Sequence, residues 1–281
     1  MATRALIELL RPANVVTAAA DVLAGAAAAG SHIQPWLLAS TCCLYGGGIV
    51  LNDFFDRNLD AVERPERPIP SGRISAATAA AVGFVLLAAG IAFASLATGA
   101  ACVIAVAISG SVLLYDIWGK HRKFFGPVNM GICRALNLML GVATLPAAVI
   151  GHLPLALLPL IYIAAVTAIS RGEVRGGKRE VALFSLSAVC VVLASLVYVG
   201  LHSPLALAII AFLAWRVIPP FWHAYREPIP PTIRTAVRAG VLSLVLLDAA
   251  IAAGFSNPVY SLIILGISVL ATLLARAFAV T

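Results

Sequence analysis

The residues best suited to chemistry form one short charged stretch, "NDFFDRNLD", from Asn52 to Asp60. Asp53 and Asp56 are three residues apart and Asp56 and Asp60 are four apart, so on a helix the three carboxylates share one face. Clustered carboxylates repel one another, and a bound cation relieves that repulsion. Hard oxygen ligands suit Mg²⁺, which is held by a few carboxylates and completed by substrate phosphates. The spacing therefore predicts a helix that continues through Asp60 and a face suited to Mg²⁺ and a diphosphate.

A second interpretation of this stretch needs no metal. Arg57, Arg64 and Arg67 lie close by in the sequence and can pair with the aspartates at a solvated helix end. Spacing alone leaves both interpretations open. An apolar run precedes the charged stretch, and the two together suit a ligand with a polar head and a hydrocarbon tail. A polyprenyl diphosphate is such a ligand, because it has a charged head for a metal and a hydrocarbon tail for an apolar cavity.

The elements that must position this face are long apolar segments. The chain has 281 residues, of which 62% are hydrophobic and 11% charged, whereas a soluble domain carries roughly 25% charged residues. Apolar runs long enough to cross a bilayer as helices recur throughout the sequence, and they lack the alternation of a β-barrel. We therefore predict an all-α polytopic membrane protein, a bundle of nine or ten helices in a single domain over residues 1–281. The candidate spans lie near residues 12–30, 36–52, 75–95, 97–115, 127–149, 153–170, 181–200, 203–219, 236–254 and 258–278.

Arginine and lysine concentrate in the loops that follow the even-numbered spans. The positive-inside rule then predicts that these loops and both termini face the cytoplasm. The net charge of +7 reflects this topology. Membrane lipids are the expected surroundings, nucleic-acid binding is excluded because it needs a basic soluble face, and no obligate protein partner is inferred. Topology does not explain why the acids lie in the same loops.

The order of the residues adds a resemblance to a known family. "NDFFDRNLD" is similar to the NDxxDxxxD motif of the UbiA-type membrane prenyltransferases, and "RPERPIPSGRIS" resembles the proline-rich segment of that family. "LLRPANVVTAAADVLAG" resembles its first helix, which opens with an RP pair. The resemblance covers most of the chain, and within the family the stretch is most similar to the EboC-like bacterial branch.

The resemblance implies a helical fold around a central, laterally open cavity that cytoplasmic loops cap. It implies an integral enzyme of the bacterial-type inner (cytoplasmic) membrane, with its active site facing the cytoplasm. With Mg²⁺, such an enzyme transfers an isoprenyl group from an allylic prenyl diphosphate to an aromatic or other small hydroxylated acceptor. Asp53, Asp56 and Asp60 match the catalytic, Mg²⁺-binding positions, and Asn52 matches a diphosphate-binding position.

The second acidic motif of the family, roughly DxxDxxxD, is altered here to "ISRGEVRGGKRE". Ser170, Glu173 and Gly177 take the aspartate positions, so only Glu173 remains as a candidate metal ligand. The loop is basic instead: it carries Arg171, Arg175, Lys178 and Arg179. These cations can hold the diphosphate in place of a second Mg²⁺. Alternatively, the protein has lost ionisation chemistry and binds or helps export a prenylated metabolite, or the loop only anchors topology.

Other polar residues in or near the apolar spans are candidate substrate contacts. Lys120 is a candidate catalytic residue on the diphosphate, although it can also pair with Asp116 four residues earlier. Arg134 lies inside a span, where a charge is costly, so it needs a partner such as Asp21 or Asp248, and a structural ion pair and a substrate contact both stay open. The complete set of candidate substrate-binding residues is Arg11, Asn14, Asn52, Arg67, Arg73, Tyr115, Arg134, Asn137, Arg171, Arg175 and Lys178.

Overall fold

The computed structural model describes residues 2–255 and 258–277, and within them the chain is helical, with eleven α-helices and three short 3₁₀ turns. The α-helices are α1 (Ala2–Leu10), α2 (Pro12–Ala28), α3 (Pro35–Glu63), α4 (Ala76–Ala97), α5 (Gly99–Ile117), α6 (Phe125–Val142), α7 (Leu157–Ser170), α8 (Arg179–Gly200), α9 (Pro204–Arg226), α10 (Pro230–Gly254) and α11 (Pro258–Ala277). The 3₁₀ turns are Gly119–His121, Pro146–Ala148 and Leu153–Ala156.

The predicted all-α membrane class is confirmed. Ten of the helices, α2 to α11, fall on the ten predicted spans, and α1 is an additional short helix before them. Residues 256, 257 and 278, at the edges of the last two predicted spans, lie outside the described residues. Within the described part of the chain, seven helices are long and apolar enough to cross a membrane, counting α7 together with the 3₁₀ turn before it. The chain is therefore an integral membrane protein.

The break between α1 and α2 falls at Arg11, before Pro12. Proline restricts the residue before it away from the helical region, and it suits the first position of a new helix. Arg11 adopts a left-handed conformation, with φ +45°, which is uncommon for a residue other than glycine. Ala5 and Leu9 of α1 are buried in a cluster against α3 and α4, so α1 holds Arg11 beside the last turns of α3.

The bundle is a closed arrangement in which each long helix packs against the next and α11 returns to α2. The centre is α2, which packs against α3, α6, α10 and α11. Its contact with α6 needs glycine on both sides: a Cβ on Gly25 would lie 2.1 Å from the carbonyl oxygen of Leu138, and a Cβ on Gly141 would lie 2.1 Å from that of Val22. Small residues allow such close backbone approach where lipid surrounds the helices.

The length of α3 explains where the acidic motif lies. Its 29 residues make a helix about 43 Å long at 1.5 Å per residue, whereas the hydrocarbon core of a bilayer is about 30 Å thick. The final turns, with Asp56 and Asp60, therefore extend beyond the apolar layer. The predicted continuation of this helix through Asp60 is confirmed. The following loop folds back, so that Arg67 reaches the motif from the side.

Candidate active site

Two of the three motif aspartates are bound by arginines from other elements. Nη2 of Arg11 donates to Oδ1 of Asp53 at 2.5 Å, and Nη1 of Arg67 donates to the same oxygen at 3.3 Å. Nη1 of Arg67 also donates to Oδ2 of Asp60 at 2.7 Å. Burial lowers the pKa of Arg11, and the negative charge of Asp53 opposes that shift. The two arginines thus tie the start of α2 and the loop after α3 to one acidic face.

The third aspartate, Asp56, forms an ion pair with Lys120. The sequence had suggested Asp116 as a partner of this lysine. Nζ of Lys120 lies 2.7 Å from Oδ1 of Asp56. The pairing of Asp116 with Lys120 does not form, because α5 ends at Ile117 and Lys120 lies on the 3₁₀ turn that follows. Asp116 instead accepts a hydrogen bond from Nδ2 of Asn52 at 2.9 Å. Lys120 therefore lies beside the acidic motif, where a phosphate could replace Asp56 as its partner.

Three cations thus neutralise the three motif carboxylates, and this arrangement is not a preformed metal cage. Among the described residues, no three His, Cys, Asp or Glu side chains converge as metal ligands. Mg²⁺ does not require such a cage, because one or two carboxylates and substrate phosphates usually hold it. The donor set of Asp53, Asp56 and Asp60 therefore fits Mg²⁺ that arrives with a diphosphate.

A cavity of about 250 Å³ lies beside this acidic face, between α2, α3, α5 and α6. Apolar residues on its wall include Leu44, Ile49, Ile108, Val112 and Met130. Its polar lining residues are Arg11, Asn14, Tyr45, Asn52, Tyr115, Asp116, Cys133, Arg134 and Asn137. Six of the predicted substrate-binding residues, namely Arg11, Asn14, Asn52, Tyr115, Arg134 and Asn137, thus share one cavity.

The membrane-embedded end of the cavity contains a buried ion pair. Nη1 of Arg134 donates to Oδ2 of Asp21 at 2.6 Å, and Nδ2 of Asn137 donates to the same oxygen at 2.7 Å. The guanidinium of Arg134 also lies 4.9 Å from the ring centre of Tyr45. The expectation that Arg134 has an acidic partner is confirmed, and that partner is Asp21. Arg134 nevertheless lines the cavity as well, so a structural ion pair and a substrate contact are compatible.

The remaining predicted residues lie outside this cavity. Arg73 pairs with Glu8 of α1 at 2.5 Å. Arg171 donates to the backbone carbonyls of Lys120 and Arg122, each at 2.8 Å, and thereby fixes the turn that carries Lys120. Arg175 and Lys178 are exposed.

Glu173, the one acid left in the second motif, is not in a group of three with the motif aspartates. It is partly buried, and its backbone carbonyl accepts a hydrogen bond from Nε of Arg234 at 3.0 Å. Burial raises the pKa of its carboxyl, and the charges of Arg234 and Arg64 oppose that rise.

Tyr45 and Asp116 were not predicted from the sequence as cavity residues. Their helical spacing from other cavity residues would have indicated them. Tyr45, Gly48 and Asn52 recur three or four residues apart on α3, on the face that continues to Asp56. On α5, Asp116 lies four residues after Val112, which also lines the cavity. A search for polar residues along the inward face of each span would have found both.

Comparison with known proteins gives a family. Residues 15–230 match the UbiA prenyltransferase family. The chain is 35% identical over 154 residues to a digeranylgeranylglyceryl phosphate synthase of Methanothrix thermoacetophila, covering 53% of this chain and 58% of that protein. A synthase of the same name from Ignicoccus hospitalis is 32% identical over 233 residues, covering 75% of this chain and 76% of that protein. The chain thus spans about half the length of several curated relatives, 58% in one case and 49% in another.

A solved structure supports the fold alone. The structure of a UbiA homologue from Archaeoglobus fulgidus, bound to GPP and Mg²⁺, superposes with a TM-score of 0.59 at 17% identity. The superposition covers 91% of this chain and 99% of that one.

Proposed function

Because the chain belongs to the UbiA prenyltransferase family, we propose that it is a membrane enzyme that transfers a prenyl group from an allylic prenyl diphosphate to a hydroxylated acceptor. The observation that carries the proposal is the position of the motif. Asp53, Asp56 and Asp60 form one face of α3, paired with cations from three other segments, beside a cavity lined by apolar and polar residues. The face suits a charged head group and the cavity suits the carbon chain.

Charge balance supports a proposed requirement for Mg²⁺ with the donor. Arg11, Arg67 and Lys120 already neutralise the three aspartates, so an incoming diphosphate adds negative charge that the resting site does not offset. We propose that Asp53, Asp56 and Asp60 hold Mg²⁺ that enters with the diphosphate. Bound there, Mg²⁺ neutralises the departing diphosphate and lowers the barrier to ionisation of the allylic carbon.

The cationic side chains act by exchanging partners. Lys120 and Arg67 turn from carboxylate to phosphate oxygens, since either anion satisfies the same donors. This exchange frees Asp56 and Asp60 to face the metal. Asn52 stays hydrogen-bonded to Asp116 at the cavity wall and donates its other N–H toward the diphosphate.

The altered second motif fits a supporting role in this scheme. Arg171 holds the backbone of the turn that carries Lys120, so it acts on the site through that turn. Arg175 and Lys178 are exposed on the same loop, and we propose that their positive charge attracts the diphosphate. Glu173 is the remaining candidate for a second metal ligand.

The acceptor contacts are proposed to lie deeper in the cavity, at Asn14, Arg134 and Asn137. The ring face of Tyr115 is proposed to stabilise the allylic cation, because an aromatic face attracts positive charge. Apolar walls exclude water, which would otherwise capture the cation. The name of the archaeal relatives indicates, for them, a product with two geranylgeranyl groups on a glyceryl phosphate. We extend only the chemical class to this chain: an alcohol that accepts a prenyl group.

The location of the site follows from charge asymmetry. The charged loops after α3, α5 and α7 carry the acidic motif, Lys120 and the basic loop, and the positive-inside rule assigns them to the cytoplasm. We therefore propose a cytoplasm-facing site in a bacterial-type inner membrane. Membership in the EboC-like branch stays a prediction, and the curated relatives described above are archaeal synthases.

One observation favours a second function. Only Glu173 remains of the second acidic motif, and every aspartate of the first motif has a cationic partner within the chain. A homologue that binds or helps export a prenylated lipid would need the cavity but no complete set of metal ligands. Such a protein would bind geranylgeranyl diphosphate without releasing diphosphate.

The direct test supplies donor and acceptor together. Purified protein in lipid nanodiscs would receive geranylgeranyl diphosphate and one of two acceptors: a glyceryl phosphate with one geranylgeranyl ether, or 4-hydroxybenzoate. We expect a prenylated product, detected by mass spectrometry, with Mg²⁺ and none with EDTA. Absence of product from every acceptor, with donor bound, would favour the lipid-binding alternative.

A further inference from the structure

Asp116 is a cavity carboxylate that the scheme above leaves without a chemical task. It lies in the last turn of α5, is 3% exposed, and lines the cavity between α2, α3, α5 and α6. Among the described residues that line this cavity, it is the only acid. Any acceptor that fills the cavity beneath the diphosphate therefore meets this carboxylate.

The hydrogen bonding of Asp116 leaves one oxygen available. Oδ1 accepts from Nδ2 of Asn52 at 2.9 Å, whereas Oδ2 is buried and has no hydrogen-bond partner within the described part of the chain. Leaving a buried polar atom unpaired destabilises a fold, and more so when the atom carries charge. Because Asp116 lines the cavity, this oxygen is available to a hydroxyl group that enters the cavity.

The surrounding charges distinguish Asp116 from the other acids of the site. Asp53, Asp56 and Asp60 each have a lysine or arginine within 3.3 Å, but Asp116 forms no ion pair among the described residues. The nearest lysine in sequence, Lys120, is bound to Asp56 on the turn beyond the end of α5. Asp116 is thus not occupied in holding the head group.

We propose that Asp116 is the general base that accepts the proton of the acceptor hydroxyl, an inference that rests on the proposed prenyl transfer. In this step the bond between C1 of the allylic donor and the diphosphate oxygen breaks, and the electron pair leaves with the diphosphate. A lone pair of the acceptor oxygen forms the new C–O bond to C1. The O–H bond then breaks, and its proton passes to Oδ2 of Asp116. The product is a prenyl ether.

Asn52 has a positioning role in this step. Its amide holds Oδ1 of Asp116, so Oδ2 is the oxygen directed to the acceptor. Asn52 also lies one helical turn before Asp56. It therefore connects the aspartate face of α3 to Asp116 on α5. This arrangement predicts an acceptor with an O–H group that enters between Asn52 and Tyr115.

The test compares Asp116→Asn with the wild type and with Ser109→Ala, which removes a buried polar group two turns earlier on α5, outside the cavity. The acceptor is a glyceryl phosphate with one geranylgeranyl ether, whose free hydroxyl receives the prenyl group. We expect Asp116→Asn to lower kcat at least about 100-fold, the typical contribution of a general base. Its affinity for geranylgeranyl thiolodiphosphate with Mg²⁺ is expected to match the wild type, and Ser109→Ala to keep wild-type kcat.

A second variant separates a chemical role from a structural one. Asp116→Ala leaves a small space, and added formate is expected to restore part of its kcat, whereas formate is expected to leave Asp116→Asn unchanged. Asp116→Asn with a kcat close to that of the wild type would overturn the proposal, and so would an Asp116→Asn variant that loses donor binding as much as turnover. A wild type that binds the donor but transfers nothing would overturn the proposed function itself, and with it this assignment.

Discussion

Among the individual side chains of the proposed site, Asp56 offers the clearest test of the metal role. It shares an ion pair with Lys120 and is proposed to turn to Mg²⁺ when the diphosphate takes the lysine. Asp56→Ala should lower turnover by about 100-fold or more, as expected when the Mg²⁺ that stabilises the leaving group loses one of its ligands. The measurement is the rate of product formation at saturating donor.

The matched control for Asp56 is Glu63→Gln. Glu63 is exposed, lies on the same helix and carries the same charge, so its loss changes the local charge without touching the motif. Wild-type turnover is expected for this variant. If Asp56→Ala were as active as Glu63→Gln, the aspartates would be a solvated helix end and the metal interpretation would be wrong.

Arg134 tests whether its ion pair is structural, substrate-binding or both. Arg134→Met leaves the fully buried Asp21 without its cationic partner, and breaking such a pair typically costs about 3–5 kcal/mol. Asp21→Asn combined with Arg134→Met removes both charges and should recover most of that stability, measured as the thermal midpoint in detergent. If Arg134 also contacts the acceptor, the double variant will be stable yet show a raised KM. A double variant as unstable as Arg134→Met would contradict the pairing.

Whole elements set where these side chains meet, and the crossing of α2 and α6 is the tightest example. A Cβ on Gly141 would lie 2.1 Å from the carbonyl oxygen of Val22, whereas a Cβ on Gly110 of α5 would meet nothing within 4 Å. Gly141→Ala should therefore destabilise the protein, by about 1–3 kcal/mol or more for overpacking. Gly110→Ala should be neutral or slightly stabilising, because alanine favours helix by up to about 1 kcal/mol over glycine.

The two glycine variants are compared by thermal unfolding and by cross-linking of α2 to α6. The same crossing brings Asp21 to Asn137 and Arg134, each one to two turns from the glycines, so Gly141→Ala should also impair turnover. Equal stability of the two alanine variants would show that the helices separate easily and that the crossing does not fix the site.

The sequence predicted some elements well because local periodicity determines them. The spacing of Asp53, Asp56 and Asp60 required α3 to run through Asp60, and it does. The cost of a charge inside a membrane required a partner for Arg134, and Asp21 is that partner. By contrast, the pairing of Lys120 with Asp56 depends on where α5 ends and on how Arg171 holds the next turn. Those contacts join residues 49 or more positions apart, which no local pattern reports.

Helix α1 and the altered second motif mark the other limits of sequence reasoning. Residues 2–10 fell outside the predicted spans, and they form a short helix whose position depends on burying Ala5 and Leu9 against α3 and α4. The sequence makes Arg171, Arg175 and Lys178 of the second motif candidate contacts of the diphosphate, with an anchoring role for the loop as an alternative. The fold uses Arg171 for backbone carbonyls instead, which charge pattern alone does not distinguish.

Across the whole molecule, donor and metal should stabilise the bundle only together. The site joins the start of α2, α3, the loop after it and the turn after α5, so a ligand held by all of them opposes unfolding. A ligand at about 100 times its Kd adds about 2.7 kcal/mol to stability. We expect geranylgeranyl thiolodiphosphate with Mg²⁺ to raise the thermal midpoint, and each alone to have little effect. An equal rise from the thiolodiphosphate with EDTA would show that the chain's cations suffice without metal.

The most direct test of prenyl transfer by this chain is to count both products of one reaction. Wild-type protein in nanodiscs would receive radiolabelled geranylgeranyl diphosphate, Mg²⁺ and the glyceryl phosphate that carries one geranylgeranyl ether. Prenyl transfer by this chain predicts one diphosphate released for each prenylated product formed, and neither when Asp56 is alanine. Donor that binds tightly and is recovered intact, with no diphosphate released, would contradict it.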